Sequence, residues 1–331
     1  MDLDAFTAAR SADWDELSRL AAKRRLDGPE ADRLIDLYQS GAADLSAIQT
    51  SAGATAVGDR LSLALSSARL RFTGAGSNLL AQLPRFFVLQ LPAALYRLRW
   101  IVLGVAVATI IIATLYAVWI TGNPDVLRNL GDDANLRHYV EHDFIDYYSN
   151  NPAASFAGQV WTNNAWIAAQ CIAFGITGLY VPYVLIQNAV GVGTAAGVMF
   201  AYGRGDILFS YIVPHGLLEL TSVFVAAAAG LRIFWAWIAP GARTRGQALA
   251  EDGRALFTVA VGCAISLFVS GLIEGFVTPS GLPVWAKIAI GALALAAYLT
   301  YMLVLGRRAV RAGETGDLTE FEAGARRIVV G

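Results

Sequence analysis

This chain has little of what soluble enzymes and secreted modules depend on. It carries two cysteines and three histidines in 331 residues, and only 15% of its residues are charged. Cys171 and Cys263 both fall inside apolar runs, which excludes a disulfide framework and predicts small packing roles. No H-E-x-x-H, G-x-S-x-G or Walker A sequence occurs, so the metalloprotease, serine-hydrolase and P-loop classes lose their motifs. Met1-Asp2-Leu3-Asp4 does not begin a basic stretch followed by an apolar one, so no cleavable signal peptide is expected. A net charge of -1 offers no general attraction to nucleic acid.

What the chain has is apolar residues, 56% of the total, with a mean hydropathy of +0.50. Those values exceed what a soluble globule usually shows and predict an all-α polytopic membrane protein. Windows of about 20 residues place spans at 100–120, 166–186, 190–202, 215–238, 256–276 and 284–305. Arg97 and Arg99 precede the first, Arg243, Arg245 and Arg254 lie between the fourth and fifth, and Arg307, Arg308 and Arg311 follow the sixth. An even number of spans puts these clusters on one side, which the positive-inside tendency makes cytoplasmic together with both termini. The 121–160 segment then falls outside, and it is acidic, with Asp125, Asp132, Asp133, Glu141, Asp143 and Asp146 against Arg128 and Arg137.

Three regions follow: a cytoplasmic helical domain over 1–99, a transmembrane domain over 100–306 and a cytoplasmic tail over 307–331. In the first, Phe6, Trp14, Leu17, Leu20 and Ala21 mark one apolar face and Leu34, Ile35, Leu37 and Tyr38 another. Breaks at Asp27-Gly28-Pro29, Gly41 and Gly53 predict three or four short helices, and 84–98 is expected to approach the membrane. So small a core is marginal alone, which favours a partner, a second copy or the membrane face. Aromatic residues from Tyr139 to Trp161 predict an amphipathic element at the outer interface. His138 and His142 there have a metal-compatible i, i+4 spacing but no third ligand, and read as a hydrated acidic face.

The 190–202 span is short, and Gly191, Gly193 and Gly197 predict close helix packing, within the chain or between protomers. Residues 207–213 are too few to cross and too apolar for a free loop, so a re-entrant or interfacial piece is expected, with Pro214 opening the next helix. That helix carries His215 and Glu219 at i, i+4, ionisable groups that are expensive in hydrocarbon.

With this topology Asn163, Asn164, His215, Glu219 and Glu274 share one depth in the outer half of the membrane and suit one hydrogen-bonded network. Three readings stand open for it: a structural network fixing helix register, a proton, ion or solute path, and intramembrane catalysis with His215 as base or with His215 and Glu219 on a metal. The last lacks a recognisable nucleophile, so no catalytic residue, metal or cofactor is assigned. Asn188 is expected near the cytoplasmic face, as a helix cap or an inner site.

The residues carry a resemblance. Asn163-Asn164, Gln187-Asn188 before the glycines, Pro214-His215-Gly216 with Glu219, and Glu274 in Leu272-Ile273-Glu274-Gly275-Phe276-Val277-Thr278-Pro279 resemble the stage II sporulation protein M family. Phe6, Trp14, Leu17, Leu37-Tyr38 and Asp44-Leu45 are similar to the cytoplasmic region of its actinobacterial branch. The resemblance implies a bacterial cytoplasmic-membrane protein without an assigned catalytic activity. It further implies a scaffold for peptidoglycan-remodelling or other envelope proteins, in some relatives encoded beside a MoxR-type ATPase. The expectation is a non-enzymatic envelope scaffold in contact with membrane lipid, a homodimer, with a small-solute or ion transporter built on His215, Glu219 and Glu274 as the alternative.

Overall fold

The computed structural model describes residues 3–23, 25–53, 55–72, 83–148 and 152–317. Most of the expected tail, 318–331, and residues 149–151 of the outer segment lie outside the described residues. The described residues form helices and turns, with no strand among them, and the chain divides into two compact units between Leu83 and Pro84.

Among its described residues the first unit has three helices: α1, Leu3–Ala22; α2, Gly28–Ala52; and α3, Ala56–Phe72. Asp27 starts α2 with a capping box, its carboxylate accepting from Glu30 N while the Glu30 side chain accepts from Asp27 N. Leu17 and Leu20 of α1, Leu34, Leu37 and Ile48 of α2, and Leu61 and Ala68 of α3 make the core. Ile35 is exposed, so the second apolar face is narrower than expected. Gly41 does not break α2. It is buried inside it, and a Cβ there would lie 3.3 Å from Leu65 Cδ2, so the glycine serves the contact with α3.

In the second unit a π turn, Phe86–Gln90, runs straight into α4, Leu91–Gly122. The helix passes through residue 99 unbroken, with Leu91, Leu95 and Leu98 in the main core, so the boundary lies at Leu83 rather than at 99. Then come α5, Ala153–Ala173; α6, Tyr180–Ala201; α7, Gly205–Ile238; α8, Arg245–Leu272, extended by a π turn Ile273–Val277; and α9, Val284–Thr300, continued by Tyr301–Leu305 and Gly306–Arg311. Among the described residues five helical stretches, against six expected spans, are long and apolar enough to cross a membrane: Leu83–Gly122, Tyr180–Ala201, Gly205–Ile238, Arg245–Val277 and Val284–Arg311; α5 is not among them. Trp100, Leu103, Ile110, Leu115 and Val118 on α4 and Trp285 and Leu293 on α9 are exposed, an outward surface suited to lipid. The chain is a polytopic helical membrane protein.

Two expected spans are redrawn. Residues 166–186 are not one helix: the chain turns between α5 and α6, where Gly178 takes φ +73° against the Phe234 ring and Gly175 lies against the backbone of Gly230. α6 therefore starts at Tyr180 and is a full-length helix rather than a short one. Residues 207–213 are no re-entrant piece, and Pro214 opens nothing. It sits inside α7, where neighbouring helices make a buried proline tolerable, and Gly291 of α9 packs directly on its carbonyl. The expected tail also changes character. Up to Asp317 it packs on the second unit, with Arg254 paired to Asp317 at 2.6 Å and Thr258 Oγ1 donating to Gly316 O at 3.0 Å.

α7 is the centre of this bundle, with Val225, Ala226, Ala227 and Ala228 devoid of exposed surface. One end of the unit collects arginines around buried Asp252, which pairs with Arg232 at 3.2 Å and Arg243 at 3.3 Å. The opposite end carries the short helical pieces of 124–146. Leu136, Val140, Phe144 and Tyr148 recur every fourth residue on one face and pack on Phe156, Val198, Met199 and Leu208. This segment is a cap seated on the bundle, its buried face turned to protein.

Candidate functional site

Under that cap lies a cavity of about 480 Å³, lined among others by Tyr148, Asn163, Asn164, His215, Glu219 and Glu274. All five polar residues singled out in the sequence face it. The asparagines, His215 and Glu219 sit well inside their helices. Asn163 and Asn164 lie about 15 Å along α5 from its start, and His215 and Glu219 sit in the third and fourth turns of α7, because α7 begins nine residues before Pro214.

Local structure explains the convergence. His215 and Glu219, four apart, share a face of α7. Glu274 occupies the π turn Ile273–Val277 of α8, where Thr278 N donates to Ile273 O at 3.0 Å and the widened turn re-aims the side chains around it. Gly271 and Gly275 flank Glu274 and let α5 approach: a Cβ at Gly271 would lie 3.0 Å from Ala157 O, and one at Gly275 2.7 Å from Ala153 O. That approach brings the asparagines to the carboxylates.

His215 is 5% exposed and Glu274 4%, while Glu219 opens on the cavity. His215 Nδ1 is 3.2 Å from Thr278 Oγ1, its Nε2 3.7 Å from Glu274 Oε2, and its carbonyl accepts from Ser270 Oγ at 3.0 Å. Glu219 lies against Glu274, Ser270 and Asn164. The Tyr148 ring covers His215 at 5.9 Å between centroids, and burial, with Glu274 and Glu219 adding negative charge, pushes the Tyr148 hydroxyl above the ordinary tyrosine range. Tyr148 is thus a neutral lid over two carboxylates.

Two features of this end escaped the sequence reading. Lys287, one of only two lysines in the chain, is buried and donates from Nζ to Thr278 O at 2.6 Å. It extends the polar chain from His215 through Thr278 to α9. A lysine in the first turn of a span was the signal. The other is the small-xxx-small pair Gly271 and Gly275 around Glu274, visible in the sequence but unread.

The remaining candidates lie elsewhere. Asn188 is no cap: it is in the middle of α6, donates from Nδ2 to Val184 O at 3.0 Å and lines an apolar groove between α4, α6 and α7. Gly193 and Gly197 pack within the chain, where Cβ atoms would lie 2.7 Å from Ala113 O and 2.7 Å from Ile120 Cβ of α4. Gly191 faces open space and takes no part in that packing. His138 and His142 lie in the cap with ring centroids 5.1 Å apart, and His138 Nε2 is 3.3 Å from Asp143.

Residues 4–74 match a domain of unknown function, DUF8413. No curated protein and no solved structure matches the chain. Residues 100–279, more than half of the chain and the source of every residue lining the polar cavity, match the family described as stage II sporulation protein M, and the chain belongs to that family.

Proposed function

We propose that this protein is a non-catalytic scaffold or assembly component of the bacterial cell envelope, anchored in the cytoplasmic membrane with both termini cytoplasmic. The arginines gathered at one end, opposite the acidic cap, support that orientation through the positive-inside tendency. The observation that carries the reading is the closure of the bundle behind the polar cavity. Toward the arginine end its axis is filled by the Ser222–Ser266 hydroxyl pair, 2.7 Å apart, and by Val225 to Ala228, so the cavity is a recess at one end. A recess under a protein cap suits a docking or register-fixing element better than a conduit. Membrane lipid is one partner; envelope or peptidoglycan-remodelling proteins, a MoxR-type ATPase system and a second copy of the chain are the protein partners proposed. The glycine spacing gives no support to the dimer, since Gly193 and Gly197 are used inside the chain.

The alternative, a small-solute or ion transporter, is favoured by the buried carboxylates at the recess. Reconstitution separates the two. A scaffold leaves proteoliposomes tight to protons and cations, and His215→Ala lowers thermal stability by about 1 to 3 kcal/mol because it strands buried polar partners. Flux in wild-type liposomes that His215→Ala abolishes would overturn the scaffold reading. Cross-linking in native membranes, read by mass spectrometry, then names the partners.

A further inference from the structure

At the floor of the recess two carboxylates and an imidazole converge, and their unsatisfied atoms are all acceptors. Thr278 Oγ1 lies 3.4 Å from Ile273 O and 3.2 Å from His215 Nδ1. With the hydroxyl proton directed at the carbonyl, the hydroxyl oxygen accepts from Nδ1–H, and Nε2 is left as a bare lone pair. Nε2 faces Glu274 Oε2 at 3.7 Å, beyond hydrogen-bond reach. Among the described residues Glu274 Oε2 and Glu219 Oε2 have no hydrogen-bond partner, though the two carboxyl groups lie against each other and Glu219 also meets Ser270 and Asn164. The nearby ammonium of Lys287 is directed at Thr278 O. One donor atom from each of His215, Glu219 and Glu274 lies within 4.8 Å of the other two.

Acceptors brought together away from water need a positive charge between them, a shared proton or a cation, and an imidazole lone pair beside two carboxylates suits a cation. We propose that His215 Nε2, Glu219 and Glu274 form a divalent-cation site, selective for an ion of the Mn²⁺ or Zn²⁺ type. This goes beyond the scaffold reading and does not depend on it. Two carboxylates balance the charge of such an ion. The imidazole favours a first-row transition metal over Mg²⁺ or Ca²⁺, which prefer oxygen alone. The Nδ1 contact to Thr278 is the outer hydrogen bond that metal-ligating histidines ordinarily carry, fixing the tautomer with Nε2 inward. Ligands around such an ion stand about 3 to 3.5 Å apart, so binding draws the three groups together by roughly an ångström. The recess leaves the remaining coordination positions facing Asn164 and the cavity. In the sequence Glu274 is 55 residues from Glu219. Only the packing of α8 on α7 supplies the third ligand.

The test uses the full-length protein in lipid nanodiscs, stripped with a chelator and titrated with Mn²⁺, followed by the spin-resonance signal of free ion, and with Zn²⁺ by calorimetry. The expected result is one ion per chain and a higher melting temperature when it is bound. Glu219→Gln, at the half-buried ligand, and His215→Ala weaken binding at least tenfold, and Thr278→Val weakens it about 10- to 100-fold through the imidazole. His142→Ala in the cap leaves it unchanged. Folded wild-type protein that takes up no ion overturns the proposal, as does binding that Glu219→Gln does not weaken or that His142→Ala abolishes.

Discussion

Single glycines in this protein have opposite meanings according to what their missing side chain would meet. Gly193→Ala puts a methyl 2.7 Å from the carbonyl oxygen of Ala113, and backbone cannot yield as a flexible side chain can. It is expected to cost about 1 to 3 kcal/mol, as overpacking does. Gly191→Ala meets nothing within 4 Å and gains helix propensity, so it is expected to be neutral or to stabilise by up to about 1 kcal/mol. Thermal unfolding of both variants in one detergent checks the contrast; equal losses would mean that α6 does not face α4 as described. Asp252 is a second case. It is 6% exposed and serves Arg232 and Arg243 together. Asp252→Ala leaves both guanidinium groups facing a vacated buried site, and a loss of about 1 to 3 kcal/mol is expected in the same assay.

Among the elements, the cap shows what a sequence pattern says about burial and what it leaves open. The aromatic residues of 139–161 predict an amphipathic element at the membrane interface, and the apolar stripe of the cap, Leu136, Val140, Phe144 and Tyr148, is covered by protein. Period alone says that a face is buried and not what buries it. The cap has a pH signature of its own. Because burial raises the Tyr148 hydroxyl above its unfolded range, the stability contributed by the neutral form is fully present below about pH 10. It is lost as pH rises further, through the folded-state value. Melting temperature should therefore fall more steeply on the alkaline side for wild type than for Tyr148→Phe; identical alkaline limbs would remove Tyr148 from the cap's buried face. The chain also tolerates Pro214 inside a 34-residue helix, where the sequence rule expects a start. Neighbouring helices can hold a proline-containing turn, and their presence is not visible locally.

For the whole molecule the open quantity is which end faces the cytoplasm. The arginine clusters predict that Ala242, exposed between α7 and α8, lies inside, and that Asp125, exposed in the cap, lies outside. In intact cells Asp125→Cys should react with a membrane-impermeant maleimide and Ala242→Cys only after permeabilisation. Both native thiols are buried and give little background. The reverse labelling pattern would invert the topology and place the recess on the cytoplasmic side.

Much of the membrane character was legible in residue order, since apolar runs of bilayer length and flanking arginines are local properties that need no partner to be recognised. The same holds for the helix break at Asp27-Gly28-Pro29 and for the i, i+4 spacing of His215 and Glu219. Helix ends inside apolar sequence were not legible. The turn at Gly175 to Leu179 and the unbroken course of α7 depend on which backbones touch, and hydropathy is alike on both sides of each. Glu274 could be placed from sequence at the depth of His215 and Glu219 and in one polar network with them, but its contacts there could not. Its position comes from a π turn and from Gly271 and Gly275 drawing α5 inward, contacts between helices far apart in the chain. Residue order thus settled what dissolves in lipid and which polar groups would be costly there, while the fold settled which of those groups meet, because meeting is a property of packed backbones and not of composition.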